Sequence, residues 1–412
     1  MKLLVNKVPM RRICEVLDIR PATLYNKIAY LAEVSTAFVE EHELKLQHSE
    51  PPKARIYISI DRQDYSLNWG THLDRRNIQL GAIGAVDNDS GYVLAMQLNF
   101  DSSLNAEDVE ADAIKRGDYD LPPPYRHYAR LWLRREYDAS DCTLLHSDDT
   151  EVVEHVDPAI KGPHSGMQVH LEYTQYALFL HLKKLLQGVQ KLRFFMDRDP
   201  GLDGACLAAF VEEVQQRRAD AFLVQSIKTL TMQKKKLLIA HKQREFDKFC
   251  VDHPMLKKAE AKHEWVQEQL ESYLAEKTDS QTWFNYPFPD MAEPGKTLLH
   301  LTDYGDYPLD HLARLYMRAS LRGIDRFFMQ VRRRLSILER PIATANNANR
   351  RWHGYAAYSP LVVEQVLRIF RAYYNYCLVG EDGETPAMRL KLINHLVPLE
   401  VLAGSSFADV KN

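Results

Sequence analysis

The chain lacks a cysteine cluster. Its five cysteines, Cys14, Cys142, Cys206, Cys250 and Cys377, are scattered and form no C-x-x-C pair. That spacing argues against a disulfide framework or a zinc ribbon and predicts reduced thiols in a cytoplasmic setting. No segment approaches the run of about eighteen apolar residues that a membrane span needs, and the N-terminus lacks a signal peptide's apolar core. A large charge of one sign is missing too, the net charge being −3 over 412 residues. Hydrophobic content of 45% and charged content of 26% are those of an ordinary soluble protein, long enough for roughly two or three domains. The near-neutral total conceals a bipolar distribution. Residues 1–31 carry Lys2, Lys7, Arg11, Arg12, Arg20 and Lys27 against Glu15 and Asp18, and residues 331–351 carry six arginines against Glu339 alone. Residues 101–157 are rich in Asp and Glu. Such a chain can present basic surfaces locally while staying near neutral overall.

Three stretches each deliver a carboxylate. Ile56-Tyr57-Ile58-Ser59-Ile60-Asp61 and Leu192-Arg193-Phe194-Phe195-Met196-Asp197 both read as apolar strands stopping at an aspartate. Leu335-Ser336-Ile337-Leu338-Glu339-Arg340 closes an amphipathic run in which Ile324, Phe327, Phe328, Val331, Leu335 and Leu338 form a helical stripe. Three acids at one sheet rim would make an oxygen-only site suited to Mg²⁺ or Mn²⁺. Asp64 competes with Asp61, Asp199 with Asp197, and Glu364 stands in reserve for Glu339. Asp64 is expected beyond the strand rim and Asp199 to initiate a turn before Pro200. The bland reading of Glu339 is a salt-bridging residue among arginines, and Pro341 should end or kink its helix.

Residues Pro9 to Leu31 read as two short helices. Ile13, Val16 and Leu17 supply one apolar face, Asp18-Ile19-Arg20 a tight connection, and Pro21 the first turn of a second helix. In that helix Leu24, Ile28 and Leu31 point inward, which leaves Thr23, Tyr25, Asn26 and Lys27 mostly outward. With Arg11, Arg12 and Arg20 nearby, this face suits a DNA major groove; the plain alternative is a helical packing module. Val34 to Leu46 reads as a third, connecting helix, and Ser49-Glu50-Pro51-Pro52 as a boundary. Arg333, Arg340, Arg350, Arg351 and Trp352 could hold phosphates and stack on an unpaired base, or form a solvated basic helix with one packed tryptophan.

Beyond the boundary, Arg55 to Ile60, Ile78 to Val86 and Tyr92 to Leu98 read as three strands, the last two joined through the turn Asp87-Asn88-Asp89-Ser90-Gly91. Residues 101–163 look like an acidic insertion with one helix near Tyr128 to Tyr137. A long helix (Met167 to Gln190), the strand ending at Asp197, a helix (Gly204 to Arg217) and a fifth strand (Ala221 to Val224) follow. The order implies a mixed sheet with helices on its faces.

In this order, with acids ending the first and fourth strands, the chain resembles the ribonuclease H-like fold of DDE transposases and integrases, from about Arg55 to Leu390. Arg332 to Pro341 looks like the segment carrying the third acid. Tyr373-Tyr374-Asn375-Tyr376 followed by Thr385-Pro386-Ala387 is similar to the closing motif of many insertion-sequence transposases. The expected fold is an α/β mixed-sheet ribonuclease H-like core with an N-terminal all-α helix-turn-helix domain and a helical insertion. Its expected parts are residues 1–48, 53–228, a mainly helical insertion at 229–307, and 308–400. The spacings between the three acids exceed what a minimal core of this family needs, hence the insertion. The resemblance implies that Asp61 bridges two Mg²⁺ (or Mn²⁺) ions, with Asp197 and Glu339 each completing one site. One ion would activate water or a DNA 3′-hydroxyl, the other stabilise the leaving 3′-oxygen. It also implies double-stranded DNA partners, namely terminal inverted repeats and target DNA, an assembly of at least a dimer, and a cytoplasmic, nucleoid-associated location. Many relatives carry an N-terminal zinc element, for which this chain has no cysteine cluster. Two other readings stay open: a transposase-derived DNA-binding protein without catalysis, and a structure-specific nuclease on the same fold.

Overall fold

The computed structural model describes residues 1–48, 53–68, 77–137, 165–227, 229–276, 282–339, 342–343, 351–352 and 357–404. Helices α1 (Met10–Leu17) and α2 (Pro21–Gln47) come first. In α2 the buried residues Leu24, Ile28, Ala32, Ser35, Val39, Glu43 and Leu46 recur at spacings of three and four. One stripe therefore holds a single 27-residue helix. The separate connecting helix expected from Val34 does not exist, because no breaker lies between Leu31 and Val34. The apolar face expected on α1 is also corrected. Ile13 is buried, but Val16 and Leu17 are exposed.

A seven-stranded mixed sheet follows, in the order β3-β2-β1-β6-β7-β9-β8. β1 (Ile56–Asn68), β2 (Asn77–Asp87) and β3 (Val93–Leu98) form an antiparallel trio. β6 (Leu192–Asp197) and β7 (Ala219–Gln225) add in parallel on the other side of β1. β9 (Thr297–His300) and β8 (Phe284–Asn285) close that edge antiparallel. Two expectations shift here. β1 does not stop at Asp61 but continues to Asn68 against β2. The segment at 229–307, expected to be a mainly helical insertion, holds α7 (Met232–Asp252) and α8 (Lys258–Glu276) and also contributes β8 and β9 to the sheet.

Hydrophobic clusters cover both faces of the sheet. On one face α4 (Leu171–Leu185), α5 (Leu202–Ala209) and α6 (Val211–Gln215) pack on Ile56, Ile58, Ile60, Phe194 and Met196. On the other, α9 (Leu309–Arg318), α10 (Arg322–Arg334) and α11 (Pro360–Tyr376) pack on Tyr57, Tyr65, Phe195 and Phe222. Leu4, Val5, Ile13, Leu24 and Ile28 belong to that same cluster, so the N-terminal helices share the core of the sheet. α3 (Ala106–Arg116) sits on the small sheet of β4 (Phe100–Asn105) and β5 (Ser165–Gln168) with its own minor core. The helix expected near Tyr128 is confined to residues 134–137 of the described chain. β10 (Ile342–Ala343) pairs with β11 (Arg351–Trp352), and α12 (Pro386–Arg389) and α13 (Leu399–Leu402) end the order. Among the described residues no helix is long and apolar enough to cross a membrane.

Candidate active site

Strand alternation and register bring two of the three expected acids together. β1 pairs in parallel with β6 from Ile56–Leu192 to Ile60–Met196, so Asp61 and Asp197 are the next residues on neighbouring strands. Adjacent strands lie about 4.8 Å apart, and side chains at equal height on parallel strands share a face. That face is the one α10 covers. Tyr57 stacks on Phe195 at 6.2 Å, and the Ser59 hydroxyl accepts a 3.0 Å hydrogen bond from the Ile324 amide. Asp61 is 8% exposed, and its Oδ1 accepts the Arg62 amide at 2.7 Å. Opposite it on β2 stands Gly84, where a Cβ would lie 2.6 Å from Ile324 Cδ1. The absence of a side chain there lets α10 settle close beside Asp61.

The rival acids fall on the other face. Arg62 joins Asp64 and Asp199, each at 3.2 Å, beneath the start of α4. A Cβ on Gly81, opposite Asp64, would meet Leu171, Arg62 and Asp64. Burial raises the Asp199 carboxyl above its ordinary range, against the pull of Arg62. Gln175 of α4 donates to Asp199 at 3.4 Å and to the Pro200 carbonyl at 2.9 Å, while its own Oε1 is buried without a partner. Gly201 caps this turn at φ +90°, a conformation glycine adopts without strain. Alternation thus separates Asp61 from Asp64, three residues on along β1, whereas Asp199, two residues beyond Asp197, leaves that face because β6 ends at Asp197 and the chain turns toward Arg62.

Glu339 sits differently from the expectation. α10 ends at Arg334, and Glu339 follows the 3₁₀ turn Ser336–Leu338 with extended backbone. It is therefore not carried on a helix; the stripe continues through Leu335 and Leu338 because the turn still packs them inward. The Glu339 carboxylate accepts the Lys7 ammonium at 2.7 Å. Glu364, the reserve acid, pairs with Arg368 on its own helix. Among the described residues no group of three or more His, Cys, Asp or Glu is gathered as a metal ion would require. The donor set at the rim is thus two carboxylates of like charge, a set that suits a hard cation completing its shell with water and phosphate oxygens.

Another acid borders this face. Phe327, on one flank of α10, packs on Phe370 and Tyr374 of α11. At about 3.6 residues per turn, Asp325 and Arg332 occupy the opposite flank. Arg332, two turns on from Asp325, lies near enough to the buried Tyr65 of β1 to oppose the rise that burial gives its phenol. Asp325 is exposed there. Its signal in the sequence was its place beside Ile324, at the border of the stripe, where a polar residue reads as ordinary.

On the N-terminal helices, Thr23, Tyr25, Asn26 and Lys27 are exposed while Leu24 and Ile28 are buried, as the pattern predicts. Arg11, Arg12 and Arg20 are exposed, the first two paired with Glu15. Arg333 is exposed at the end of α10. Arg340 and Arg350 lie outside the described residues, and of Arg351 and Trp352 only the backbone, in β11, is described. The two basic stretches meet in space. The Lys7 amide donates to the Arg334 carbonyl at 2.7 Å, Arg334 donates to Asn6 at 3.1 Å, and Ser336 donates to the Val8 carbonyl at 3.4 Å. No protein-family model matches the chain, and no curated protein matches it.

Proposed function

We propose that the chain is a DDE-type transposase with a ribonuclease H-like core, cutting and joining DNA at the ends of a mobile element. The observation that carries this reading is the equal height of Asp61 and Asp197 on neighbouring parallel strands, facing the same helix. The antiparallel trio with two parallel strands added beyond β1 supports the fold. The meeting of the two basic stretches beside α1 and α2 supports DNA as substrate, with Thr23, Tyr25, Asn26 and Lys27 reading base edges and the arginines holding phosphates.

In this reading Asp61 and Asp197 hold Mg²⁺ or Mn²⁺ through carboxylate oxygens, and the cation offsets the repulsion between them. A divalent ion bound there supplies an acidified water or 3′-hydroxyl and neutralises charge on the leaving oxygen. Asp61 is fixed by the Arg62 amide, and the packed face of α10 limits water behind it. Glu339 stands as the third acid, a role that requires its Lys7 ion pair to open. Asp325 is the second reading of that position, favoured by its place on the flank of α10 that carries Arg332, near Tyr65 of β1.

The test is a Mg²⁺-dependent cleavage and strand-transfer assay on DNA carrying the repeats that flank the gene, with Asp61→Asn as control. Nicking at the repeat ends, lost in the variant, supports the transposase. Binding without cutting by the native chain would replace it with a DNA-binding protein derived from one. Cutting of branched or hybrid DNA without joining would indicate a structure-specific nuclease. Glu339→Gln and Asp325→Asn decide the third acid by which of them abolishes cutting.

A further inference from the structure

A cavity of about 360 Å³ opens between α7, α8 and the segment that leads into β9, within the range of small-molecule sites. Its inner wall is closed on itself. Lys296 is buried, donates to Glu293 at 3.2 Å and to the Ala319 carbonyl at 2.8 Å, and lies 4.0 Å from the centre of the Tyr286 ring. The other Glu293 oxygen accepts the Ser320 hydroxyl and the Leu321 amide, both at 2.7 Å. Asp290 accepts the Ala292 and Glu293 amides and pairs with Arg322. Both lining carboxylates are therefore already engaged within the protein.

The mouth is different. Lys242 of α7 and Lys262 of α8 reach it from two helices. Lys262 lies over the Phe288 ring at 5.3 Å and has no carboxylate partner among the described residues. Among the described residues Lys242 is engaged by Glu245 on its own helix, at 2.8 Å. The lining also holds two aromatic rings, Tyr286 and Phe288, with centroids 5.9 Å apart, Lys296 lying over the first and Lys262 over the second. Phe288 is backed edge-on by Phe246 and Trp265 at 5.1 and 5.0 Å, so it is held in place without a ligand.

Cations converging over a braced aromatic wall match an anion that carries a flat ring. We infer that this cavity binds a nucleoside phosphate, the phosphate on Lys242 and Lys262 and the base against Tyr286 and Phe288. The same chemistry comes from a free nucleotide or from a nucleotide within a single DNA strand. Lys235, two turns before Lys242 on the same side of α7 as Ile239, extends the cationic track outward as a strand would need. The inference does not rest on the reaction assigned to Asp61 and Asp197.

The experiment titrates the full chain, in EDTA, with thymidine 5′-monophosphate and separately with a single-stranded oligothymidylate, inorganic phosphate serving as competitor. Lys242→Ala/Lys262→Ala is compared with the native chain and with Asp61→Asn, after thermal melting has shown all three folded. The expected result is binding that phosphate displaces, weakened about tenfold or more in the double variant by loss of charge-assisted contacts, and unchanged in Asp61→Asn. Binding of the monophosphate identifies a free nucleotide as sufficient; binding of the oligothymidylate alone identifies a strand. The inference is overturned if neither probe binds, if the double variant binds as the native chain does, or if Asp61→Asn loses binding equally.

Discussion

At the β3 edge of the sheet, Glu43 of α2 and Arg371 of α11 form a buried ion pair whose other bonds are all made within the protein. Tyr92 donates to Glu43 at 3.0 Å and meets the Tyr376 hydroxyl at 2.9 Å, and Arg371 donates to the Val93 carbonyl at 3.0 Å. At the rim of β1 and β6, by contrast, Asp61 and Asp197 set two carboxylates side by side with strand spacing between them. The first arrangement joins two helices and a strand by opposite charges. The second sets two like charges on adjacent strands, an arrangement that a bound cation would favour. Burial raises Glu43 even beside Arg371, so the cost of desolvation offsets part of the attraction between the two charges.

The comparison breaks first on activity. Asp61→Asn or Asp197→Asn should lower metal-dependent cleavage by at least about 10³-fold, the scale of removing a group that acts on the reacting atoms. The melting temperature of either variant should change far less than activity, because asparagine keeps the size and shape of aspartate. A variant that melts much lower would make the rim structural, like the β3 edge. The complementary test removes one side of the anchor. Glu43→Ala should cost about 3–5 kcal/mol in denaturant unfolding, because Arg371 is left buried without its counter-charge. Replacing both members, as Glu43→Leu with Arg371→Met, should cost less than Glu43→Ala alone. If Glu43→Ala proved neutral, the distinction between the two regions would collapse.

How much of this was legible follows from the range of the forces involved. The hairpin trio and the Asp197 strand were readable because β-branched runs and the Asp87–Gly91 turn act locally. The outward set on α2 was readable because Leu24 and Ile28 fix the helix phase. The far end of β1 was not, since Arg62-Gln63-Asp64 carries polar residues that only pairing with β2 holds extended. β8 and β9 were missed for a similar reason: strands of two and four residues owe their existence to pairing, β9 with β7 and β8 with β9. Val16 and Leu17 kept a helical pattern without being buried, since periodicity shows a face and not what covers it. The helical place expected for Glu339 was misread because its apolar stripe runs on past the end of the helix. The separation of Asp61 from Asp64 was implicit in their odd spacing, but that of Asp199 from Asp197 was not, since only the turn after β6 carries Asp199 away, and the register of β1 on β6 was needed to set Asp61 beside Asp197.

A smaller effect tests how tightly α10 is seated against the rim. Gly84→Ala places a methyl group 2.6 Å from Ile324 Cδ1, and overpacking of this kind costs about 1–3 kcal/mol. If α10 positions Asp61, cleavage by this variant should fall further than its stability loss explains, measured below its melting range. A fall in stability alone would assign Gly84 to packing only.

The smallest effect sharpens the contrast within the rim itself, between the face of Asp61 and the face of Asp199. Burial raises Asp199 in the folded chain, with Arg62 opposing and Asp64 and Asp197 adding to the rise. A carboxyl whose folded value exceeds its unfolded one, about 3.9, binds more protons when native throughout that interval. Its contribution to stability therefore falls as pH rises from the ordinary carboxyl value through the raised one, and stays level above it. Asp199→Asn holds the neutral form at every pH, while Arg62 keeps Asp64 at 3.2 Å. Denaturant unfolding across mildly acid pH should thus show a shallower decline in the variant, which ends at neutral pH no less stable than the native chain. Lower stability of Asp199→Asn at neutral pH would mean that the Arg62 pair outweighs burial, making this face an anchor of the same kind as Glu43 and Arg371.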